Sequence, residues 1–150
     1  MHVCTDLTLE PEFHNWFKNI TAKSVNIFYH GFLDVTSTEF YSVISKCIAI
    51  PYLSCAEGGA GAVLQVMQFN CFPIVNKSTA LRGEEYGIVL KGNTRNDLLE
   101  QLIESLNEIR NLPIKYLREM TESSGEYSRK NHSRKAYADS FRELLKIAHA

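Results

Sequence analysis

The sequence predicts an α/β fold, a doubly wound and mainly parallel sheet with helices on both faces, and three observations predict it. Short runs of branched and aromatic residues alternate along the chain with segments of helical apolar spacing. The run Cys47 to Leu53 is almost continuously apolar, as strands covered on both faces are. Its exit is a glycine-rich turn, Glu57-Gly58-Gly59-Ala60-Gly61, that opens directly into a helix-like segment. Strands joined through helices make right-handed crossovers and so a parallel sheet, whose ligands sit at the carboxyl ends of the strands.

Taken in order, His2 to Asp6 reads as a first strand. Pro11 suits a first helical turn and is followed by Phe13, Trp16, Phe17 and Ile20 at helical spacing. Val25 to Tyr29 is a second strand that stops at His30-Gly31. Ser37 can cap a helix carrying Phe40, Val43 and Ile44. Cys47 to Leu53 is the third strand, and Val63, Leu64, Val66 and Met67 face one side of the helix after the glycine turn, which Asn70 ends. Phe72 to Val75 and Tyr86 to Leu90 are further strands, joined by a polar, turn-rich stretch, Asn76 to Glu85, placed to reach over the glycine turn.

Thr94 and Asp97 form a capping box with Asp in place of Glu, opening a helix striped by Leu98, Leu99, Leu102, Ile103, Leu106 and Ile109. A shorter helix is expected over Ile114 to Met120, then a polar connection from Thr121 to Ser133. A last helix would pack through Tyr137, Phe141, Leu144, Leu145 and Ala148.

With 150 residues and 45% apolar content the chain can bury a core as one domain. Its 16 basic and 17 acidic residues leave a net charge of −1, so no global field draws in nucleic acid or an anionic membrane. No apolar run approaches the roughly 18 residues of a membrane span and no signal pattern opens the chain, so the expected location is the cytoplasm. Cys4, Cys47, Cys55 and Cys71 lack metal or redox spacing and read as reduced, buried thiols; the five histidines show no paired arrangement, and no metal site is expected.

The chemistry concentrates at the turn. Glycines let main chain approach a ligand without Cβ interference, and the first amides of a helix have no partner within it, which together suit an anion. Glu57 beside them suits hydroxyl groups instead. A carboxylate next to an anion site points to a sugar joined to a phosphate.

Four blocks, Asn26 to Leu33, Phe40 to Lys46, Ser54 to Leu64 and Phe72 to Val75, in this order resemble the C-terminal, donor-binding domain of GT-B glycosyltransferases. The likeness is to the retaining group, glycosyl transferases group 1, and it covers nearly the whole chain. It implies a Rossmann-like sheet and one donor-binding domain over residues 1–150, with 114–150 as a helical extension. It further implies that Glu57 contacts hydroxyls of the transferred sugar, orienting it rather than acting as a general base. Gly58, Gly59, Ala60, Gly61 and Ala62 would lie against the diphosphate and sugar, and Gly31 and Phe32 near the nucleobase. The family usually has a second Glu eight positions after the first, on the ribose. Here that position is Gln65, which can hydrogen-bond a diol without the added strength of a charge.

The resemblance also implies what would complete the chain. The family's first strand and its basic pair do not precede Glu57, so the sequence reads as a fragment, inactive alone, of an enzyme with an N-terminal acceptor domain. The only small molecule implied is the nucleoside-diphosphate sugar, as donor substrate, with no cofactor and no metal. A sheet lacking an inner strand would leave edges open to self-association. An alternative is a non-catalytic module or degenerate subunit that binds a nucleotide or sugar phosphate. A flavodoxin-like regulatory domain ranks below it, because Asp6 and Asp34 stand without an acidic cluster.

Overall fold

The computed structural model describes residues 1–79, 81 and 86–148. The chain forms two compact units, residues 1–47 and 48–150. In the first, β1 (His2–Cys4) and β2 (Phe28–Gly31) pair in parallel, with α1 (Pro11–Thr21) between them in sequence and α2 (Thr38–Ile44) after. The register shifts between Val3 and Cys4, so His30 is the extra residue of a bulge. Helix α1 begins on Pro11 as expected, and the Ser37 side chain accepts a hydrogen bond from the Phe40 amide at 3.1 Å, capping α2.

The second unit is a parallel sheet in the order β3 (Ala49–Tyr52), β4 (Phe72–Asn76), β5 (Ile88–Leu90). Its helices are α3 (Gly61–Met67), α4 (Arg95–Asn111), α5 (Ile114–Asn131) and α6 (Arg134–Ala148). Every residue of β4 is buried, and alternate side chains serve two cores. Val75 joins Ala60, Val63, Met67 and Tyr86 on the face covered by α3, with Tyr127 of α5 packed against them. Phe72 and Ile74 join Leu90 and Ile109 on the other face, where Leu98 and Leu102 of α4 and Leu117 and Met120 of α5 close the layer. The α/β reading, with parallel strands and helices on both faces, is therefore what the chain adopts.

The expected capping box is present: Thr94 Oγ1 accepts from the Asp97 amide at 3.2 Å and the Asp97 carboxylate accepts from the Thr94 amide at 3.0 Å. Helix α5 corrects the sequence reading. The polar stretch from Thr121 is not a connection but continues the helix to Asn131, 18 residues in all. Its small polar residues are what let it dock: Ser124 Oγ donates to the Cys71 carbonyl at 3.0 Å and Ser128 Oγ to the Leu64 carbonyl at 2.9 Å, and both serines are buried.

Three other expectations change. Strand β3 was expected to be covered on both faces, yet it pairs only with β4 among the described residues and is half-buried, with Ile48 and Leu53 exposed. The α6 face does not pack: Tyr137, Phe141, Leu144 and Leu145 are exposed. Of the four cysteines only Cys71 is buried; Cys4 and Cys55 are exposed and Cys47 is intermediate. No helix among the described residues is long and apolar enough to cross a membrane.

Candidate functional site

The glycine turn lies at the carboxyl end of β3, between the strand and α3, where a parallel sheet leaves its ligand crevice. Two neighbours from the end of β4 hold it. The buried Asn76 side chain accepts from the Ser54 amide at 3.1 Å and donates to the Ser54 carbonyl at 2.8 Å. Two residues on, the Ser78 carbonyl accepts the Glu57 amide at 2.9 Å. The start of the Asn76 to Glu85 stretch thus reaches the turn; residues 80 and 82–85 of that stretch lie outside the described residues.

The side chain of Glu57 is also held. Tyr52 rises from β3 against the Ala60 and Val63 core, on the strand face it shares with Ile50, and its hydroxyl donates to Glu57 Oε2 at 3.1 Å. This hydrogen bond is the main cause that pushes the Tyr52 phenol up from its ordinary value of 10.0, with partial desolvation and the Glu57 charge adding to it. The phenol therefore stays a donor through neutral pH.

The turn's conformation differs from the glycine argument in one respect. The left-handed residue is Ala60, at φ 43° and ψ 50°, rather than Gly58, Gly59 or Gly61. A left-handed non-glycine residue costs on the order of 1–2 kcal/mol. Here the Ala60 methyl is 1% exposed and part of the core, which offsets that cost. The three glycines are all exposed, and a Cβ built on any of them meets no atom of the described residues within 4 Å. Neither backbone strain nor packing among the described residues requires them to be glycine.

Helix α3 starts on Gly61 without a side-chain cap, so the Gly61 and Ala62 amides stand at a helix start, and both residues are exposed. The helix is seven residues long, so its dipole adds little beyond these amides. Gln65 is on its exposed surface. The structure thus brings Glu57 to Ala62 together in one open turn, with Gln65 one helical turn further on. Gly31 and Phe32 belong to the other unit. Gly31 has φ 70°, a left-handed conformation that favours glycine, and Phe32 is 76% exposed.

Sequence reasoning missed Tyr52, Asn76 and Ser78. The signal for Asn76 was a polar side chain closing an otherwise apolar strand; for Tyr52 it was the two-residue alternation that puts it beside Ile50. Away from the turn, a shallow groove of about 260 Å³ runs between β5 and α4, lined by Val89, Lys91, Gln101, Glu104 and Glu108 among others. Gln101 there accepts the Lys91 and Gly92 amides at 2.8 and 3.2 Å, an arrangement that terminates β5. Among the described residues no three His, Cys, Asp or Glu side chains gather as metal ligands.

No protein-family model and no curated protein matches the chain. Solved structures do. A glycosyltransferase from Rickettsia africae ESF-5 superposes with a TM-score of 0.71 at 14% identity, over 98% of this chain and 40% of that one. The Anabaena protein HepE, solved in complex with UDP and glucose, superposes with a TM-score of 0.71 at 11% identity, over 97% of this chain and 40% of its own. The resemblance to GT-B glycosyltransferases is thereby borne out as a likeness of fold: this chain folds as a part of such enzymes does, and spans 40% of the length of each.

Proposed function

We propose that the chain is the donor-binding domain of a larger glycosyltransferase, residues 1–150, with 114–150 as its helical extension, and that it holds a nucleoside-diphosphate sugar for transfer to an acceptor. The observation that carries the reading is the turn itself: three glycines that packing among the described residues does not call for, beside a carboxylate fixed at its amide and its side chain. Main-chain amides at a helix start without a side-chain cap suit a diphosphate, and a held carboxylate suits sugar hydroxyls. In the proposed reaction, Glu57 orients the sugar. The main chain of Gly58, Gly59, Ala60, Gly61 and Ala62 stabilises charge developing on the leaving diphosphate, so rate comes from positioning and electrostatics. Gln65 contacts the ribose.

The reading includes an acceptor domain outside this chain, in keeping with the 40% of each neighbour that the chain spans. It also includes a cytoplasmic location, no cofactor or metal beyond the donor, and self-association through the open edge of β3 when the chain is alone. Titrating the full-length protein with UDP, GDP and their sugar conjugates tests it; binding of a sugar nucleotide is expected, and absence of binding to all of them would overturn it. The purified 150-residue chain should form no transfer product.

One observation favours a second reading, a non-catalytic nucleotide or sugar-phosphate module. The ribose position carries an exposed neutral amide, Gln65, rather than a carboxylate. Sugar-nucleotide binding by the full-length protein without turnover on any acceptor would select it.

A further inference from the structure

We propose that Tyr52 is the positioning residue of this site: its phenol orients the Glu57 carboxylate and so sets a preference for nucleoside diphosphates that carry a sugar over those that do not. The inference rests on the donor-binding reading above, and Tyr52 is not among the residues the family resemblance points to.

The geometry supports it from both sides of the contact. The Tyr52 ring packs against the core under α3, so its hydroxyl leaves the strand at a set place, 3.1 Å from Glu57 Oε2. The Glu57 main chain is set independently by the Ser78 carbonyl. A carboxylate accepts about four hydrogen bonds, so one phenol leaves capacity for ligand hydroxyls. An exposed glutamate would have to surrender its rotamer freedom when a sugar binds. A carboxylate already tethered surrenders less, and the gain appears only with ligands that reach it. The diphosphate and nucleoside do not depend on Glu57 in this arrangement, so their affinity should not depend on Tyr52.

The test is calorimetric titration of the full-length protein with UDP, UDP-glucose, GDP and GDP-mannose, comparing wild type with Tyr52→Phe, Glu57→Ala and the double variant. Phenylalanine retains the ring and its packing and removes only the hydroxyl. The expected result is that Tyr52→Phe reduces the preference for the sugar conjugate by about threefold to tenfold, the worth of one net hydrogen bond. Affinity for the bare diphosphate should stay within about twofold, because the hydroxyl is the only atom removed. Glu57→Ala should abolish the preference, and Tyr52→Phe should add nothing in that background.

A preference unchanged by Tyr52→Phe, a parallel loss for diphosphate and conjugate, or an equal loss in the Glu57→Ala background would each overturn the proposal. Wild-type binding without any preference for the conjugate would overturn it while leaving nucleotide binding intact. Failure of the wild type to bind any of the four ligands would remove the donor-binding reading together with this inference.

Discussion

Asn76 pairs with both main-chain polar groups of Ser54, accepting the amide at 3.1 Å and donating to the carbonyl at 2.8 Å. Only one orientation of the side-chain amide satisfies both, with oxygen toward the Ser54 nitrogen. The side chain thus acts as one more residue of ladder between β4 and the start of the glycine turn. Because Asn76 is 6% exposed, water cannot readily replace it. Asn76→Ala is expected to destabilise the protein by about 1–3 kcal/mol, the cost of leaving buried polar groups unpaired. Asn76→Asp should do no better, since it sets a carboxylate against the Ser54 carbonyl. Urea denaturation midpoints decide the matter, and an unchanged midpoint for Asn76→Ala would show that the turn is held by other contacts.

Glu57→Ala in the full-length protein is expected to lower turnover on the order of a hundredfold, the scale of losing the positioning of a reacting group. Steady-state rates with the cognate donor are the measurement. Turnover equal to the wild type would remove this carboxylate from the site.

Gly87 has a structural necessity that the glycines of the turn lack among the described residues. A Cβ there would lie 2.6 Å from both Pro73 Cγ and the Pro73 carbonyl oxygen, and the latter is main chain of the central strand. Gly87→Ala is expected to cost about 1–3 kcal/mol through overpacking, whereas Gly58→Ala should alter stability by well under that. If Gly58→Ala also weakens sugar-nucleotide binding, the open space over the turn belongs to a ligand. Thermal or denaturant unfolding of the two variants separates these effects.

In the first unit His2 Nδ1 and His30 Nε2 lie 2.9 Å apart, a contact that needs at least one neutral ring. Partial desolvation holds the His2 imidazole below its ordinary value of 6.5, with His30, the N-terminal amine and Lys46 pushing the same way. A histidine whose folded value is lowered binds fewer protons folded than unfolded. Its share of stability is therefore present above 6.5 and declines as pH falls below it. NMR titration of the His2 imidazole, with unfolding followed between about pH 5 and 8, should show this direction, and His30→Phe should weaken it without abolishing it, because desolvation is the larger cause. The opposite slope would contradict the assignment.

Thiol accessibility offers a simple check on the packing. Cys55 and Cys4 should alkylate in the folded protein, while the buried Cys71 should react only on unfolding. Mass mapping of the modified peptides reads the result, and rapid labelling of Cys71 would mean that β4 is not the closed core described.

What was legible in the sequence is what neighbours in the chain decide. Ser37 with Phe40, and Thr94 with Asp97, are three residues apart, so the side chains that cap these helices are written next to the amides they satisfy. The order of strands, the glycine turn at a strand end and the fold class follow from periodicities of two and 3.6 residues, also local properties. The polar stretch Thr121 to Asn131 escaped that reading because its partners are remote. Ser124 and Ser128 meet carbonyls 53 and 64 residues away, and only once α3 and β4 are in place do these hydroxyls have a buried acceptor.

The same division holds at the site. By itself the sequence determined that Glu57 and the glycines would share one turn after a parallel strand, because five consecutive residues cannot separate. Long-range packing is what brings Tyr52 to Glu57, clamps the turn with Asn76 and Ser78, and puts Ala60 rather than a glycine in the left-handed conformation. It also decided that the α6 face stays exposed and that β3 pairs with β4 alone among the described residues. Periodicity states which side chains share a face. It does not state what lies opposite that face, since burial is a relation between segments brought together by the whole fold.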